Sequence, residues 1–241
     1  MTNLSIVIPV RNEAGNIIAL VNSIDAALAV HAPFEIIVVD DGSTDDTAQR
    51  VADRARTMQH LRLIRHDRSG GQSAAVHTGV LAALAPLVCT LDGDGQNPPE
   101  ELPNIAAPLL ADLTGRIGLV AGQRVGRRDT LSKRLASRIA NAIRGWLLQD
   151  GTRDTGCGLK AFRRDAFLAL PYFNHMHRYL PALFARDGWD IRLIDVTHRA
   201  RGAGRSNYSN IQRALVGIVD LFGVMWLLRR RKTARVIKST L

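Results

Sequence analysis

Short, almost wholly apolar runs alternate with longer stretches of helical periodicity through the first half of the chain. Leu4 to Val10 and Phe34 to Val39 are predicted strands with few polar interruptions, as expected where both faces of a sheet are covered. Between them, Ala14 to Val30 carries Ile17, Ile18, Val21, Ile24 and Leu28 on one helical face. Thr44 to Arg56 and Gly70 to Ala85 are predicted helices, and Leu61 to Arg65 and Leu87 to Leu91 predicted strands. This strand–helix alternation implies an α/β fold with a mostly parallel sheet and helices on both faces. Such sheets bind ligands outside the carboxyl ends of their strands. Residues from Pro9, Asp40 and Asp92 onward should therefore gather on one edge.

In the second half, Leu119 to Gly122 is a further predicted strand. Leu131 to Leu148 is a long basic helix with an apolar stripe of Leu135, Ile139, Ile143, Trp146 and Leu147. Gly156 to Arg163 and Trp189 to Thr197 are predicted strands around a helical piece from Arg178 to Arg186. No repeat or low-complexity linker divides the chain, so the expectation is one domain over 1–210 with an appendage over 211–241. In that appendage the stretch ALVGIVDLFGVMWLL has 15 residues, with Asp220 in its middle and Arg229, Arg230, Arg231 and Lys232 after it. A spanning helix needs about 20 predominantly apolar residues. A helix lying in the membrane interface, with the basic cluster gripping anionic lipid and Trp226 as anchor, is the favoured expectation. The alternative is a helix buried against the core or in a dimer contact.

Composition narrows this little. In 241 residues, 46% hydrophobic and 22% charged side chains exclude disordered and fibrous classes. Cys89 and Cys157 make neither a disulfide framework nor a metal knuckle. Met1-Thr2-Asn3 leads into a strand without a basic leader, so no signal peptide is expected. The net charge of +10 is uneven: residues 1–123 carry 8 basic and 14 acidic side chains (8 − 14 = −6), and residues 124–241 carry 24 and 8 (24 − 8 = +16). A basic half suits nucleic acid, anionic lipid or phosphorylated substrates. With only 5% aromatic residues and no nucleic-acid motif, a nucleic-acid partner is not expected.

Candidate chemistry sits at the strand ends. Asp92-Gly93-Asp94-Gly95-Gln96-Asn97-Pro98-Pro99-Glu100 follows a buried strand, and glycines let its backbone turn sharply. Two carboxylates there are costly unless something positive joins them. Hard oxygen ligands in small number suit Mg²⁺ or Mn²⁺ held against a diphosphate. The same residues are also consistent with an Asx turn that starts the next helix. In Asp40-Asp41-Gly42-Ser43-Thr44, Ser43 or Thr44 can cap the following helix. That leaves the two aspartates for donors on a base or ribose. Arg11, Asn12 and Glu13 add a polar cluster on the same edge. His77, inside a helix, is read as structural.

IVIPVRNE, VVDDGSTDDT, GQSAAVHTG and LDGDGQNPPE, in this order and spacing, resemble glycosyltransferase family 2. DTGCGLKAF at 154–162 and RGAGRSNY at 201–208 resemble its dolichyl-phosphate mannosyltransferase and undecaprenyl-phosphate glycosyltransferase branch. The likeness spans residues 4 to about 210. It implies a GT-A fold, a nucleotide-diphosphate sugar donor and inversion at the anomeric carbon. It places Pro9, Arg11 and Glu13 along the nucleotide and Asp41 at the base. Asp92, Asp94 and Gln96 fall around the metal, Asp94 and Gln96 foremost. Arg124 and Arg138 match positions that grip an acceptor phosphate, with Arg127, Arg128, Lys133 and Arg134 nearby on a solvated or lipid-facing side. Arg201 and Arg205 fall in a loop that closes over the diphosphate. Relatives usually have Lys where this chain has Asn207, and Arg205 is the candidate substitute.

Asp154 stays open between two roles. It would be the general base if a saccharide hydroxyl is the acceptor, or it would orient the donor sugar or an arginine if a polyprenyl phosphate is. His175, His177 and Arg178 are either a helix-start cluster or a counterpart of a His-Arg pair in relatives. The resemblance implies a peripheral or monotopic protein on the cytoplasmic face of the cell membrane. Larger members of the branch carry spanning helices after the catalytic domain, so a separate small membrane protein is an expected partner.

Overall fold

The computed structural model describes residues 2–31, 33–125, 144–145, 147–148, 150–199 and 210–230, the side chains of 210–216 excepted. The elements are β1 (Leu4–Val10), α1 (Ile17–Leu28), β2 (Phe34–Asp40), α2 (Thr47–Ala55), β3 (Leu61–Arg65), α3 (Gln72–Ala82) and β4 (Leu87–Thr90). They continue as α4 (Leu102–Leu110), β5 (Ile117–Arg124), β6 (Lys160–Arg163), α5 (Arg164–Leu168), α6 (Leu180–Arg186), β7 (Asp190–Val196) and α7 (Asn210–Leu228). The described strands form one sheet in the order β3-β2-β1-β4-β6-β5-β7.

β1 to β4 are parallel, and so is the β5–β7 pair, but β6 runs antiparallel to both β4 and β5. The chain therefore leaves β5 at the ligand edge and re-enters the sheet from that same edge through β6. This puts the loop just before β6, residues 156–159, beside the end of β4. The predicted strand at Gly156–Arg163 is shorter than expected: 156–159 is loop on that edge and only Lys160–Arg163 pairs. Of the predicted helix at 131–148, Arg144, Gly145, Leu147 and Leu148 are described, and they are helical.

Side-chain alternation along the strands builds two cores. Ile6, Ile8, Ile36, Val38 and Cys89 face α1 and α4, meeting Ile17, Leu20, Ile24, Leu102, Ile105 and Leu109. Val7, Ile37, Val39, Val88 and Phe162 face the other way, onto Val76 and Val80 of α3, Phe167 of α5, Leu183 of α6 and Val224 of α7. Helix α7 is thus part of the second layer. Val224 is fully buried, with Leu221, Met225 and Leu228 beside it. The opposite side of α7 exposes Ile218, Val219, Phe222 and Trp226. Asp220, which looks like an interruption in the apolar run, lies on the core side, where its carboxylate meets His175. Among the described residues no helix is long and apolar enough to cross a membrane.

The end of the sheet remote from the ligand edge is held by one buried acid. Glu35 accepts hydrogen bonds from Ser5 Oγ (2.7 Å), the Leu84 N–H (2.7 Å) and Arg62 Nη1 (2.7 Å), tying together β1, β2, β3 and the approach to β4. Removing it strands a part-buried N–H and takes the acceptor from a buried hydroxyl. Glu35→Ala is expected to cost about 1–3 kcal/mol in urea unfolding. A change under a few tenths would show that water replaces these bonds.

Candidate active site

Asp40 ends β2, Asp41 follows it, and both are buried. Asp40 takes the Ser43 N–H (3.1 Å) and Arg65 Nε (3.2 Å). Asp41 accepts from His66 Nδ1 (2.8 Å) and the Gly70 N–H (2.8 Å) on one oxygen, and from Ser69 Oγ (2.7 Å) and the Gly71 N–H (2.9 Å) on the other. A carboxylate offers about four accepting directions, so this one is filled from within the chain. Burial alone would raise the Asp41 pKa, but the Ser69, His66, Gly70 and Gly71 bonds outweigh it and hold the carboxyl below its ordinary value. What Asp41 presents to the edge is the 66–71 loop it organises. Gly42 permits the approach: a Cβ there would sit 2.8 Å from the Arg68 carbonyl carbon and the Ser69 nitrogen, at φ +69°.

Ser43 and Thr44 do not cap α2. Ser43 Oγ accepts the Asn12 N–H (2.9 Å), and the Thr44 N–H donates to Asn12 Oδ1 (2.9 Å). The two hydroxyl residues are taken by a loop-to-loop staple, with Asn12 left-handed at φ 57°. Glu13 joins the same junction: its N–H donates to Thr47 Oγ1 (2.9 Å) and its carboxylate accepts from Asn16 (2.7 Å). Pro9 is level with Val39, and Arg11 is exposed beyond the strand end.

Beyond β4, Asp92 is fixed from three sides. Gln72 Nε2, at the first residue of α3, donates to Oδ1 (2.7 Å), and Asn97 Nδ2 lies 3.4 Å from Oδ2. Behind it the backbone of Gly158 comes so close that a Cβ would stand 2.3 Å from the carboxyl group. Burial, then the charge of Asp94, pushes the Asp92 pKa up, against the opposing pull of Lys160, Arg124 and Asn97. Asp94 Oδ1 accepts the Gln96 N–H (3.1 Å), the Asx turn anticipated from the sequence. Among the described residues no three His, Cys, Asp or Glu side chains gather as a closed metal cage. Asp92 and Asp94, near enough that the charge of one raises the pKa of the other, instead make an open pair of hard oxygen donors that fits a divalent cation with positions left for substrate oxygens.

The strands that flank the returning loop supply the cations, Arg124 at the end of β5 and Lys160 at the start of β6. Arg124 grips Asp154 with Nε to Oδ2 at 2.5 Å and Nη2 to Oδ1 at 2.9 Å, both side chains largely buried. Gln123 Oε1 holds the loop in place by accepting the Arg153 and Asp154 N–H groups (2.8 and 2.9 Å). Burial disfavours the Arg124 charge, but the bond and charge of Asp154 prevail and raise its pKa. Lys160 is buried at the base of the loop, its Nζ donating to the Cys157 carbonyl. Burial lowers its pKa against the pull of Cys157, Asp92 and Asp154. The sequence reading missed Gln72, Gln123 and Lys160. Gln72 and Lys160 lie inside quoted motifs, but only the fold brings Gln72 to Asp92 and buries Lys160 under the loop.

His77 packs its ring between Phe167 and Tyr172, with centroids 6.2 and 5.0 Å away, and burial lowers its pKa. Arg138, Arg201, Arg205 and Asn207 lie outside the described residues, as do Arg127, Arg128, Lys133, Arg134, Arg231 and Lys232. The stem of the 201–208 segment is described. Thr197 bonds Glu101 through its N–H (3.0 Å) and hydroxyl (2.8 Å), and the Arg199 N–H donates to the Gln96 carbonyl (3.0 Å).

His177 Nδ1 lies 2.7 Å from Ser73 Oγ. Burial, then the charges of Lys160, Arg178 and His175, holds its pKa well below the ordinary value. Below a pH of about 6.5 an unfolded histidine takes a proton that this folded one refuses, so stability falls as pH drops from there toward the native pKa. In His177→Asn, the urea midpoint should therefore depend less on pH between about 7 and 5 than in the wild type. Parallel pH curves for the two proteins would contradict a neutral buried His177.

Comparison with known proteins agrees with this geometry. Residues 5–170 match the model of glycosyl transferase family 2. Dodecaprenyl-phosphate galacturonate synthase of Rhizobium johnstonii is 35% identical over 234 residues, covering 94% of this chain and 67% of that protein. Undecaprenyl-phosphate 4-deoxy-4-formamido-L-arabinose transferase of Pectobacterium carotovorum is 35% identical over 214 residues, covering 86% and 63%. The chain thus spans about two thirds or less of the length of these relatives. Glucosyl-3-phosphoglycerate synthase of Mycobacterium tuberculosis, solved with Mn²⁺, uridine diphosphate and glucosyl-3-phosphoglycerate, superposes with a TM-score of 0.69 at 21% identity, covering 94% of this chain and 80% of that one. A second structure of that enzyme holds Mg²⁺ and uridine diphosphate. The fold is GT-A, and the chain belongs to glycosyl transferase family 2.

Proposed function

We propose that the chain transfers a sugar, with inversion, from a nucleotide-diphosphate sugar to a polyprenyl phosphate at the cytoplasmic surface of a membrane. The observation that carries this reading is the two-point clamp of Arg124 on Asp154 beside Asp92. A saccharide hydroxyl needs a general base to become a nucleophile. A carboxylate held by both nitrogens of a guanidinium is a poor base, because its proton-accepting directions are occupied and its anion is stabilised. A lipid phosphate is already anionic and needs cations to aim it. Arg124, oriented by Asp154, suits that task, together with Arg138. Two relatives 35% identical to this chain carry names of prenyl-phosphate sugar transferases, which points the same way.

On the donor side, Pro9, Arg11 and Glu13 would line the nucleotide, and the base would meet the edge of the 66–71 loop that Asp41 holds. Asp92, Asp94 and Gln96 would hold Mg²⁺ or Mn²⁺, which offsets the charge developing on the departing diphosphate. An oxygen of the acceptor phosphate forms a bond to the anomeric carbon from the face opposite the diphosphate. The bond to the diphosphate oxygen breaks, and its electron pair leaves with the nucleoside diphosphate. Single displacement inverts the anomeric centre, and Arg201 and Arg205 would steady the leaving group.

The outer side of α7 suits the acceptor's location. Ile218, Phe222 and Trp226 repeat at four-residue intervals and are 53%, 66% and 59% exposed, an apolar stripe that water does not favour. The Arg230 guanidinium lies 5.4 Å above the Trp226 ring, and Arg229 follows the helix end, so the stripe finishes in positive charge. That pairing fits an interfacial helix on anionic lipid.

Incubation with a panel of nucleotide sugars, Mn²⁺ and a short polyprenyl phosphate should yield a phosphate-linked sugar lipid, and Asp94→Ala should lower its rate by at least about a hundredfold. Hydrolysis alone, or transfer only to free saccharides, would overturn the lipid-phosphate reading. Phe222→Glu/Trp226→Glu should weaken binding to vesicles rich in phosphatidylglycerol by at least about tenfold, since each aromatic contributes roughly 1.5–3 kcal/mol when buried. Unchanged vesicle binding would remove α7 from the membrane contact.

A further inference from the structure

Helix α7 is joined to the donor side of the site by a short turn. On the core side of α7, Asp220 Oδ2 lies 2.9 Å from His175 Nδ1, and the Gly217 carbonyl accepts the Tyr179 hydroxyl at 3.2 Å. These two contacts fall on either end of residues 175–179. The turn between them is tight: Met176–Arg178 is one 3-10 turn, Met176 is buried, and His175 is left-handed at φ 68°. Its middle reaches the other way. The His177 N–H (3.3 Å) and Nδ1 (2.7 Å) both meet the hydroxyl of Ser73, a buried residue in the first turn of α3. The residue before Ser73 is Gln72, whose amide donates to Asp92 at 2.7 Å.

We propose that Asp220 is a positioning residue for Asp92, acting through His175, the 175–179 turn, Ser73 and Gln72. The physical case is short range and stiff. Each link is a direct hydrogen bond or a neighbour on one helix turn, and the turn is pinned at both ends and in the middle. A hydrogen bond weakens steeply once its atoms part by more than about half an ångström. A small shift of the turn would therefore cost Asp92 its Gln72 contact and loosen the carboxylate that the cation needs. The helix that faces the membrane on one side thus completes the cation site with the other. This inference rests on reading Asp92 and Asp94 as the cation site.

The test uses Mn²⁺ alone, titrated against the full chain in detergent, with free Mn²⁺ read by electron paramagnetic resonance and folding checked by circular dichroism. Asp220→Asn and Ser73→Ala should each weaken Mn²⁺ binding by about three- to tenfold, somewhat less than the roughly 10–100-fold typical of groups that touch the ligands directly. The double variant should be no weaker than the worse single one, because both cut the same connection. Asp220→Glu should recover most of the loss. Tyr179→Phe, which removes only a hydroxyl, should weaken binding by about twofold and keeps the test open if Asp220→Asn misfolds. Wild-type affinity in folded Asp220→Asn, or losses that multiply in the double variant, would overturn the coupling and leave the cation site standing. A wild type that binds no Mn²⁺ would overturn the cation site and the coupling with it.

Discussion

Carboxylates gathered at the carboxyl edge of a parallel sheet repel one another and resist burial, and most of the architecture around this edge answers that problem. Asp40 is met by Arg65 and a backbone N–H, and Asp41 by four donors from the 66–71 loop. Asp154 is met by Arg124. Asp92 is met by Gln72 and, at longer range, by Asn97. It is pushed toward its neutral form by burial and by Asp94, with the Lys160 and Arg124 charges opposing. A divalent cation would settle that imbalance, and so would substrate phosphates carrying the cation with them. The antiparallel strand β6 makes this possible, because it brings Lys160 and the 154–158 loop back to the ends of the parallel strands.

The division of charge along the sequence takes on a spatial meaning in that light. The acidic first half ends its strands in aspartates at the edge. The basic second half returns there with Arg124 and Lys160, and it also continues outward to Arg229 and Arg230 at the end of α7. Gly158 backs onto Asp92 so closely that a Cβ there would stand 2.3 Å from its carboxyl group.

Much of the fold was legible because apolar periodicity follows burial directly. β1 and β3 begin and end where the pattern puts them, and the parallel order of β1 to β4 follows from their alternation with helices. Helix starts were less legible. Thr44 to Asp46 look like the opening of α2, but their polar groups are spent on the Asn12 loop and on Thr47, so the helix begins at Thr47. The direction of β6 leaves no mark on composition, since an apolar run reads alike in either sense. Helix α5 was not anticipated, as five residues are too few to show a period. Within the site, the strand pattern foretold that Pro9, Asp40 and Asp92 open onto one edge, because they lie at the ends of adjacent parallel strands. The pairing of Arg124 with Asp154, and the reach of Gln72 to Asp92 from another layer, are long-range contacts that no local pattern encodes.

The assignment of Asp154 to Arg124, and so of the acceptor to an already ionised phosphate, is what the chemistry turns on. The pH dependence of kcat/KM for Asp154→Asn, measured with a short polyprenyl phosphate, tests it most directly. If Asp154 only holds Arg124, the variant is slower but its acid limb stays where it is in the wild type, because the limb belongs to the acceptor phosphate. If Asp154 is the base, the acid limb disappears and the residual rate rises with hydroxide, which would contradict the phosphate-acceptor chemistry.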